Sequence, residues 1–393
     1  MQLVERHIVI DNRFEDICLK SGLLYNYTLY AIRQGIFSKI YLNEYTFSSM
    51  LAKINQFDYR NLPAQVSQQV IKQAFQNIKS WIKANKSYAK NRTKFKTQPK
   101  LPKYKTGKKQ NVVVFTNQVC RLKNGYIYFP KLTNLQPIKT NQTNFKQVRI
   151  IPQATCYVIE IIYEKEEINL NLEQNNILSL DLGLNNYVTT INNVGIQPFI
   201  INGKIMKSFN HWFNKKKAKL MSFVGNKGTS NKLKQLNNYR NFWIEDKNHK
   251  ISRFIINYCI ENNIGTIVIG KNDGWKNGIN LGKKTNQKFV ELPHAKLISK
   301  IEYKAKLIGI NVITNEESYT SKTDNLALEP LIKQETYLGK RVKRGLFQSF
   351  TGKLINADVN GALGILRKVF DDSVITQIIN SGQVFCPYRI NSL

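Results

Sequence analysis

Residues 59 to 159 contain no Asp or Glu, yet carry 20 Lys and Arg, from Arg60 to Arg149. That much unopposed positive charge repels itself in any compact state unless a polyanion neutralises it. The stretch must therefore fold with its cations outward and a polyanionic partner in reach. A second acid-free run lies between Asp181 and Glu245, with ten basic residues including Lys215, Lys216, Lys217 and Lys219. A third basic knot is Lys340-Arg341-Val342-Lys343-Arg344. Over all 393 residues, 59 Lys and Arg oppose 26 Asp and Glu, a formal net charge of +33. Nucleic acid fits such a surface, since phosphate contacts supply affinity with little sequence information. A membrane would call for an amphipathic helix with an aromatic-rich face. Here the cations decorate segments patterned as strands and packed helices, so no membrane partner is expected.

The apolar fraction, 42%, is ordinary for a globular chain, and the length predicts two or three domains with sizeable cores. No run of apolar residues is long enough to span a bilayer, and Met1 to Asn12 lacks the halves of a signal peptide. The expected location is the cytoplasm, in association with the nucleoid of a prokaryote. Cys18, Cys120, Cys156, Cys259 and Cys386 are scattered without a CxxC pair, so neither a disulfide framework nor a structural zinc site is expected. His7, His211, His249 and His294 are equally dispersed. A catalytic metal would then rest on oxygen ligands, which favours Mg²⁺ or Mn²⁺ over Zn²⁺.

Leu3 to Ile10 alternates like a strand. Helical periodicity follows from about Phe14 to Phe37 and from Pro63 to Lys83, with Pro63 where a first-turn proline is tolerated. Residues 84–110 read as an extended basic loop broken by Pro99 and Pro102. Strands are predicted at Val112–Thr116, Tyr126–Phe129, Val148–Ile151 and Thr155–Tyr163, with Asn124-Gly125 as a hairpin turn. The first part, about 1–170, thus reads as a β-barrel with a helical insertion at about 12–100. From 171 the pattern becomes α/β: strands at Ile177–Asp181, Tyr187–Ile191 and Gln197–Ile201, helices at 205–222 and 231–262, then strand, helix, strand and a final helix. Three meandering strands followed by alternating helices and parallel strands is the order of an RNase H-like nuclease core. The expected class is a multidomain α+β and α/β chain, with a core at 171–370 and a tail at 371–393.

With acids so scarce, Asp181 at the end of the apolar strand Ile177-Leu178-Ser179-Leu180-Asp181 reads as a metal ligand rather than an ion-pair partner. Asp358 is a second candidate, in Ile355-Asn356-Ala357-Asp358-Val359-Asn360-Gly361-Ala362, where the competing role is a helix cap. Two-metal phosphodiester hydrolysis needs several such carboxylates to converge.

Asp181-Leu182-Gly183-Leu184-Asn185, Tyr319-Thr320-Ser321-Lys322-Thr323 and Asn356-Ala357-Asp358-Val359-Asn360-Gly361-Ala362 resemble the RuvC motifs of the TnpB (OrfB) family. These are transposon-encoded, RNA-guided DNA endonucleases related to type V CRISPR effectors and Fanzor proteins. Leu62-Pro63-Ala64-Gln65-Val66 and the segment Asp246, His249, Lys250-Ile251-Ser252-Arg253 add to the resemblance, which runs from about residue 1 to 370. It implies a guide RNA from the transposon end, a double-stranded DNA target beside a short duplex motif, and cleavage supported by two Mg²⁺ ions, with Mn²⁺ as alternative. It makes the N-terminal part a wedge barrel with a helical recognition insertion.

Two departures stand out. The family's second acid is a Glu at the end of the strand that here reads Thr266-Ile267-Val268-Ile269-Gly270, and Gly270 holds no ligand. Glu317 is the expected replacement, on a neighbouring strand about 4.8 Å away, with Glu316 and Asp273 as alternatives. The family's zinc ribbon is also missing, for residues 324–355 contain no cysteine. Expected nucleic-acid contacts are Tyr27, Gln68, Gln69, Lys72, Lys103, Lys105, Lys108, Lys109, Thr116, Asn117, Lys340, Arg341, Lys343 and Arg344. His249 shares a helix face with Asp246 and Arg253 and is not read as catalytic. A cleavage-deficient guided repressor and a guide-independent RuvC-type nuclease or transposase are the competing functions.

Overall fold

The computed structural model describes residues 1–225, 228–271, 293–391 and 393. The chain divides into two compact units, Met1–Lys165 and Glu166–Leu393, each mixing helices and strands.

The first unit begins with β1 (Gln2–Val9), followed by helices α1 (Glu15–Phe37), α2 (Glu44–Lys53), α3 (Phe57–Arg60) and α4 (Ala64–Lys90). Helix α4 buries Val66, Val70, Ile71, Ala74, Phe75 and Ile78, one apolar face at helical spacing. It continues to Lys90, past the predicted end at Lys83, because nothing before Pro99 interrupts it. The strands are β2 (Val113–Thr116), β3 (Arg121–Lys123), β4 (Tyr126–Tyr128), β5 (Ile138–Lys139), β6 (Gln147–Pro152) and β7 (Tyr157–Glu164). Asn124 and Gly125, at φ 51° and 73°, make the tight turn between β3 and β4.

Strands β1, β7, β6 and β2 form an antiparallel sheet in that order, while β3, β4 and β5 form a separate one. Among the described residues β1 and β2 remain sheet edges, so hydrogen bonding does not close the predicted barrel. The short strands β3, β4 and β5 pair with one another instead. In the middle of β7, buried Glu160 faces Arg6 across the ladder and accepts from its guanidinium at 2.9 Å.

The second unit contains β8 (Ile177–Asp181), β9 (Asn186–Asn192), β10 (Phe199–Asn202), α5 (Lys204–Val224), α6 (Asn231–Glu261), β11 (Thr266–Gly270), α7 (His294–Lys306) and β12 (Asn311–Asn315). Then come β13 (Lys340–Lys343), β14 (Leu346–Gln348), β15 (Leu354–Asn356), α8 (Ala357–Arg367), α9 (Asp372–Asn380) and β16 (Tyr388–Ile390). The main sheet has the order β12-β11-β8-β9-β10-β16. Strands β8, β9 and β10 form an antiparallel meander, and β11 and β12 run parallel to β8. The segment read as a tail supplies α9 and the edge strand β16, parallel to β10.

Side chains alternate across β8, and that alternation sets up the site. Leu178 and Leu180 enter the core shared with Ile251 and Ile255 of α6 and Leu297 and Ile301 of α7. Ile177 faces the opposite way, into the core with Val359, Ala362, Leu363 and Leu366 of α8. Ser179, on that same side, donates to the Ala362 carbonyl at 2.8 Å and fastens strand to helix. Asp181 is next in this row.

The cysteine-free insert at 324–355 is organised by two buried acids. Asp324 accepts from the backbone N–H of Leu326, Ala327 and Phe350 and from the Ser349 hydroxyl, at 3.2, 3.3, 2.7 and 2.8 Å. Glu329 accepts from the N–H of Asp324 and Leu338 at 2.7 and 2.8 Å. Phe347 and Ile355 anchor the insert in the core beneath α8. Asp324→Ala strands these donors, so the unfolding free energy from urea titration should fall by about 2–4 kcal/mol. Unchanged stability in Asp324→Ala would contradict this role.

Candidate functional site

Asp181 closes β8 and, by the alternation above, faces α8, on whose first turn Asp358 sits. The helix cap is Asn356, whose side chain accepts from the N–H of Asp358 and Val359 at 3.0 and 3.4 Å. Asp358 is thus released from the capping role that competed for it. Its Oδ2 instead accepts from Asn186 Nδ2 at 2.6 Å, and Asn186 Oδ1 accepts from Arg389 at 2.8 Å.

Glu317 arrives from the other side. Gly270, the last residue of β11, lies opposite Asn315 on β12, and the chain beyond Asn315 folds back over the empty position. A Cβ placed on Gly270 would lie 2.9 Å from Glu317 Oε2 and 2.4 Å from Ile365 Cδ1. The carboxylate of Glu317 therefore occupies the space beside the residue that carries no side chain. The turn after it is tight: Tyr319 has φ 67°, in the left-handed region, and the Thr320 hydroxyl donates to the Glu317 carbonyl at 2.9 Å. Such strain in a non-glycine residue marks a place where geometry is imposed. Glu316 is exposed, bonded by the Ser318 hydroxyl and paired with Lys368 at 3.5 Å. Asp273 lies outside the described residues.

Burial and neighbouring charge act on two of these acids. Desolvation raises the Asp181 pKa well above the usual carboxylate range, and the charges of Asp358 and then Glu317 raise it further, against Arg341 and the Leu182 N–H. Glu317 is also raised, first by burial and then by Glu316, with Lys368 opposing. Gly361 allows α8 to approach, since a Cβ there would stand 2.7 Å from Asp181 Oδ2. Among the described residues no three His, Cys, Asp or Glu side chains are gathered so as to hold a metal ion by themselves. This all-oxygen donor set suits Mg²⁺ held by one or two carboxylates with water and substrate oxygens.

The expected nucleic-acid contacts fall in several places. Gln68, Gln69 and Lys72 of α4 line a groove of about 430 Å³ with Glu44, Tyr45, Ser48 and Ser49. Tyr27 of α1 is 38% exposed. Lys103 and Lys109 are exposed, as is Lys108, which pairs with Glu15 at 3.1 Å. Lys105 is half-buried over the Tyr25 ring, and desolvation lowers its pKa. Thr116 donates to Gln65 at 2.5 Å beside exposed Asn117. Lys340, Arg341, Lys343 and Arg344 stand exposed on β13 and its turn, with Arg341 close enough to act on Asp181. His249, on α6, is exposed and pairs with Glu245 at 3.7 Å. Sequence reasoning missed Asn186 and Arg389. Asn186 adjoins the first motif, which was a signal, but nothing local marks Arg389.

Two family models match the chain. OrfB_IS605, described as "Probable transposase", matches residues 160–276, and "Cas12f1-like, TNB domain" matches 294–365. The first covers Asp181 and Gly270, and the second covers Glu317 and Asp358. No curated protein matches. Among solved structures, the "Cryo-EM structure of the Cas12f1-sgRNA-target DNA complex" aligns at TM-score 0.54 and 16% identity, covering 90% of this chain and 81% of that one. The "Structure of the mini-RNA-guided endonuclease CRISPR-Cas_phi3" aligns at 0.48 and 10%, covering 96% and 92%.

Asp181 sits among like charges for reasons other than stability. In metal-free buffer, Asp181→Asn should raise the unfolding free energy by about 1–2 kcal/mol. A loss of stability would contradict the shared-charge account.

Proposed function

We propose that the chain is an RNA-guided, divalent-cation-dependent DNA endonuclease whose Glu166–Leu393 unit is a RuvC-like nuclease of the RNase H class. The observation that carries this reading is that Asp181, at the end of β8, feels the charges of Asp358, on the first turn of α8, and of Glu317, whose carboxylate fills the space beside Gly270. The sheet order supports it, since β8–β9–β10 meander while β11 and β12 add parallel to β8. So does the likeness to the Cas12f1-sgRNA-target DNA complex.

Asp181, Glu317 and Asp358 would hold two Mg²⁺ or Mn²⁺ ions, which when bound supply a nucleophile at neutral pH and charge stabilisation for the leaving oxygen. The protein's own part is positional. Burial and the charges of Asp358 and Glu317 raise Asp181, and burial and Glu316 raise Glu317, so both carboxylates favour a neighbouring cation. Asn186, backed by Arg389, turns the Asp358 carboxylate, and Arg341 offsets negative charge where a scissile phosphate must enter. Lys340, Lys343 and Arg344 offer phosphate contacts beside it. The first unit, with its acid-free run and the groove at Gln68, Gln69 and Lys72, would bind guide RNA and the duplex motif, while guide pairing selects sequence.

Gly270 favours a second reading, a guided binder that does not cut. The Glu317 carboxylate beside Gly270 weighs against it.

With bound guide RNA, Mg²⁺ and matching DNA, the purified ribonucleoprotein should cut its target. Asp181→Ala should slow cutting by at least about a hundredfold while target affinity stays near wild type. Tight binding without cutting in the wild-type complex would establish the binder instead.

A further inference from the structure

The hairpin of α5 and α6 carries an aromatic cluster for which the carboxylate site has no use. Phe209 stacks on Trp243 with centroids 3.8 Å apart and planes at 10°, and Trp212 meets Tyr239 edge to face at 5.9 Å. Rings that only fastened two helices together would be covered. Trp212 and Tyr239 instead remain 41% and 53% exposed. One and two turns beyond Trp212 on α5 come Lys215, Lys216 and Lys219, all exposed, and then Phe223, 77% exposed. No acid occurs from residue 182 to 244.

We propose that this face of the hairpin is a stacking platform for an unpaired DNA strand, with Trp212 and Tyr239 taking bases and Lys215, Lys216 and Lys219 taking phosphates. Aromatic faces accept any base, and lysines follow a backbone without reading sequence. Position selects the occupant, because the hairpin springs from the loop that orients the carboxylates. The Gly203 N–H donates to the Asn185 carbonyl at 2.8 Å, and Lys207 Nζ donates to Asn185 Oδ1 at 2.6 Å. Asn186, next in the chain, holds Asp358. Trp212 lies one and a half turns past Lys207, about 7.5 Å along the axis. The platform therefore lies on the helix that leaves the loop holding Asp358. A second copy of this chain fits worse, since a two-fold contact would set the exposed lysines against their own images. The strand's destination rests on the nuclease reading; the binding surface does not.

The test titrates the full-length protein in EDTA with a labelled oligothymidine, the matching oligouridine and a duplex of equal length, at low and high salt. Trp212→Ala should weaken oligothymidine binding about tenfold, and the loss should persist at high salt because stacking is not screened. Tyr239→Ser should act in the same direction, Trp212→Phe should restore most of the affinity, and duplex binding should hold. Replacing Lys215, Lys216 and Lys219 together with Gln should flatten the salt slope by about two. Unchanged oligothymidine affinity in both ring variants would overturn the proposal. So would a loss confined to oligouridine, which would assign the platform to RNA, or a wild-type dimer that Trp212→Ala turns into a monomer. Because EDTA removes the divalent cation, the result is independent of whether the carboxylate site cuts.

Discussion

The burial of Asp181 beside the charges of Asp358 and Glu317 is the constraint around which the second unit is arranged. A partly buried carboxylate facing two others is unfavourable in the absence of cations. It persists because the surrounding structure leaves it no alternative. Ser179 ties β8 to α8, Gly361 lets the helix approach, Asn356 takes over the cap, and Asn186 fixes Asp358 from the side. The tight turn at Tyr319 brings Glu317 over the vacancy at Gly270. Each contact is modest, and together they hold Asp181 beside Asp358 and Glu317.

Much of this was legible in the chain. The apolar strand ending on Asp181 could be read from its pattern, because a lone acid in an acid-poor region has few structural reasons to be there. Glu317 followed from strand adjacency: if the strands ending at Gly270 and Asn315 are neighbours, an acid just past one can serve a position on the other. The register, which pairs Gly270 with Asn315, fits that logic.

Other features depended on contacts distant in sequence. Arg389 reaches Asn186 only because the last segment joins the sheet as β16. The first unit's strands read as a barrel because alternation shows that a strand has two faces but says nothing of whether a sheet closes. Helix α4 ran past its apolar face into Lys-rich sequence, where no hydrophobic signal marked its continuation. In the insert, the absence of cysteine was plain, but the role of Asp324 and Glu329 as acceptors for backbone donors was not. The same scarcity of acids thus serves two ends. Asp181 and Glu317 are partly buried beside other acids that raise them, while Asp324 and Glu329 are satisfied by N–H and O–H groups and hold the fold.

The central claim, that Glu317 supplies the ligand Gly270 lacks, is tested most directly by counting bound ions. Mn²⁺ binding to the guide-loaded, target-bound complex, followed by electron paramagnetic resonance, should show two ions in the wild type. Glu317→Ala should lose at least one of them, and Glu316→Ala should keep both. Full occupancy in Glu317→Ala, or loss in Glu316→Ala, would contradict the account.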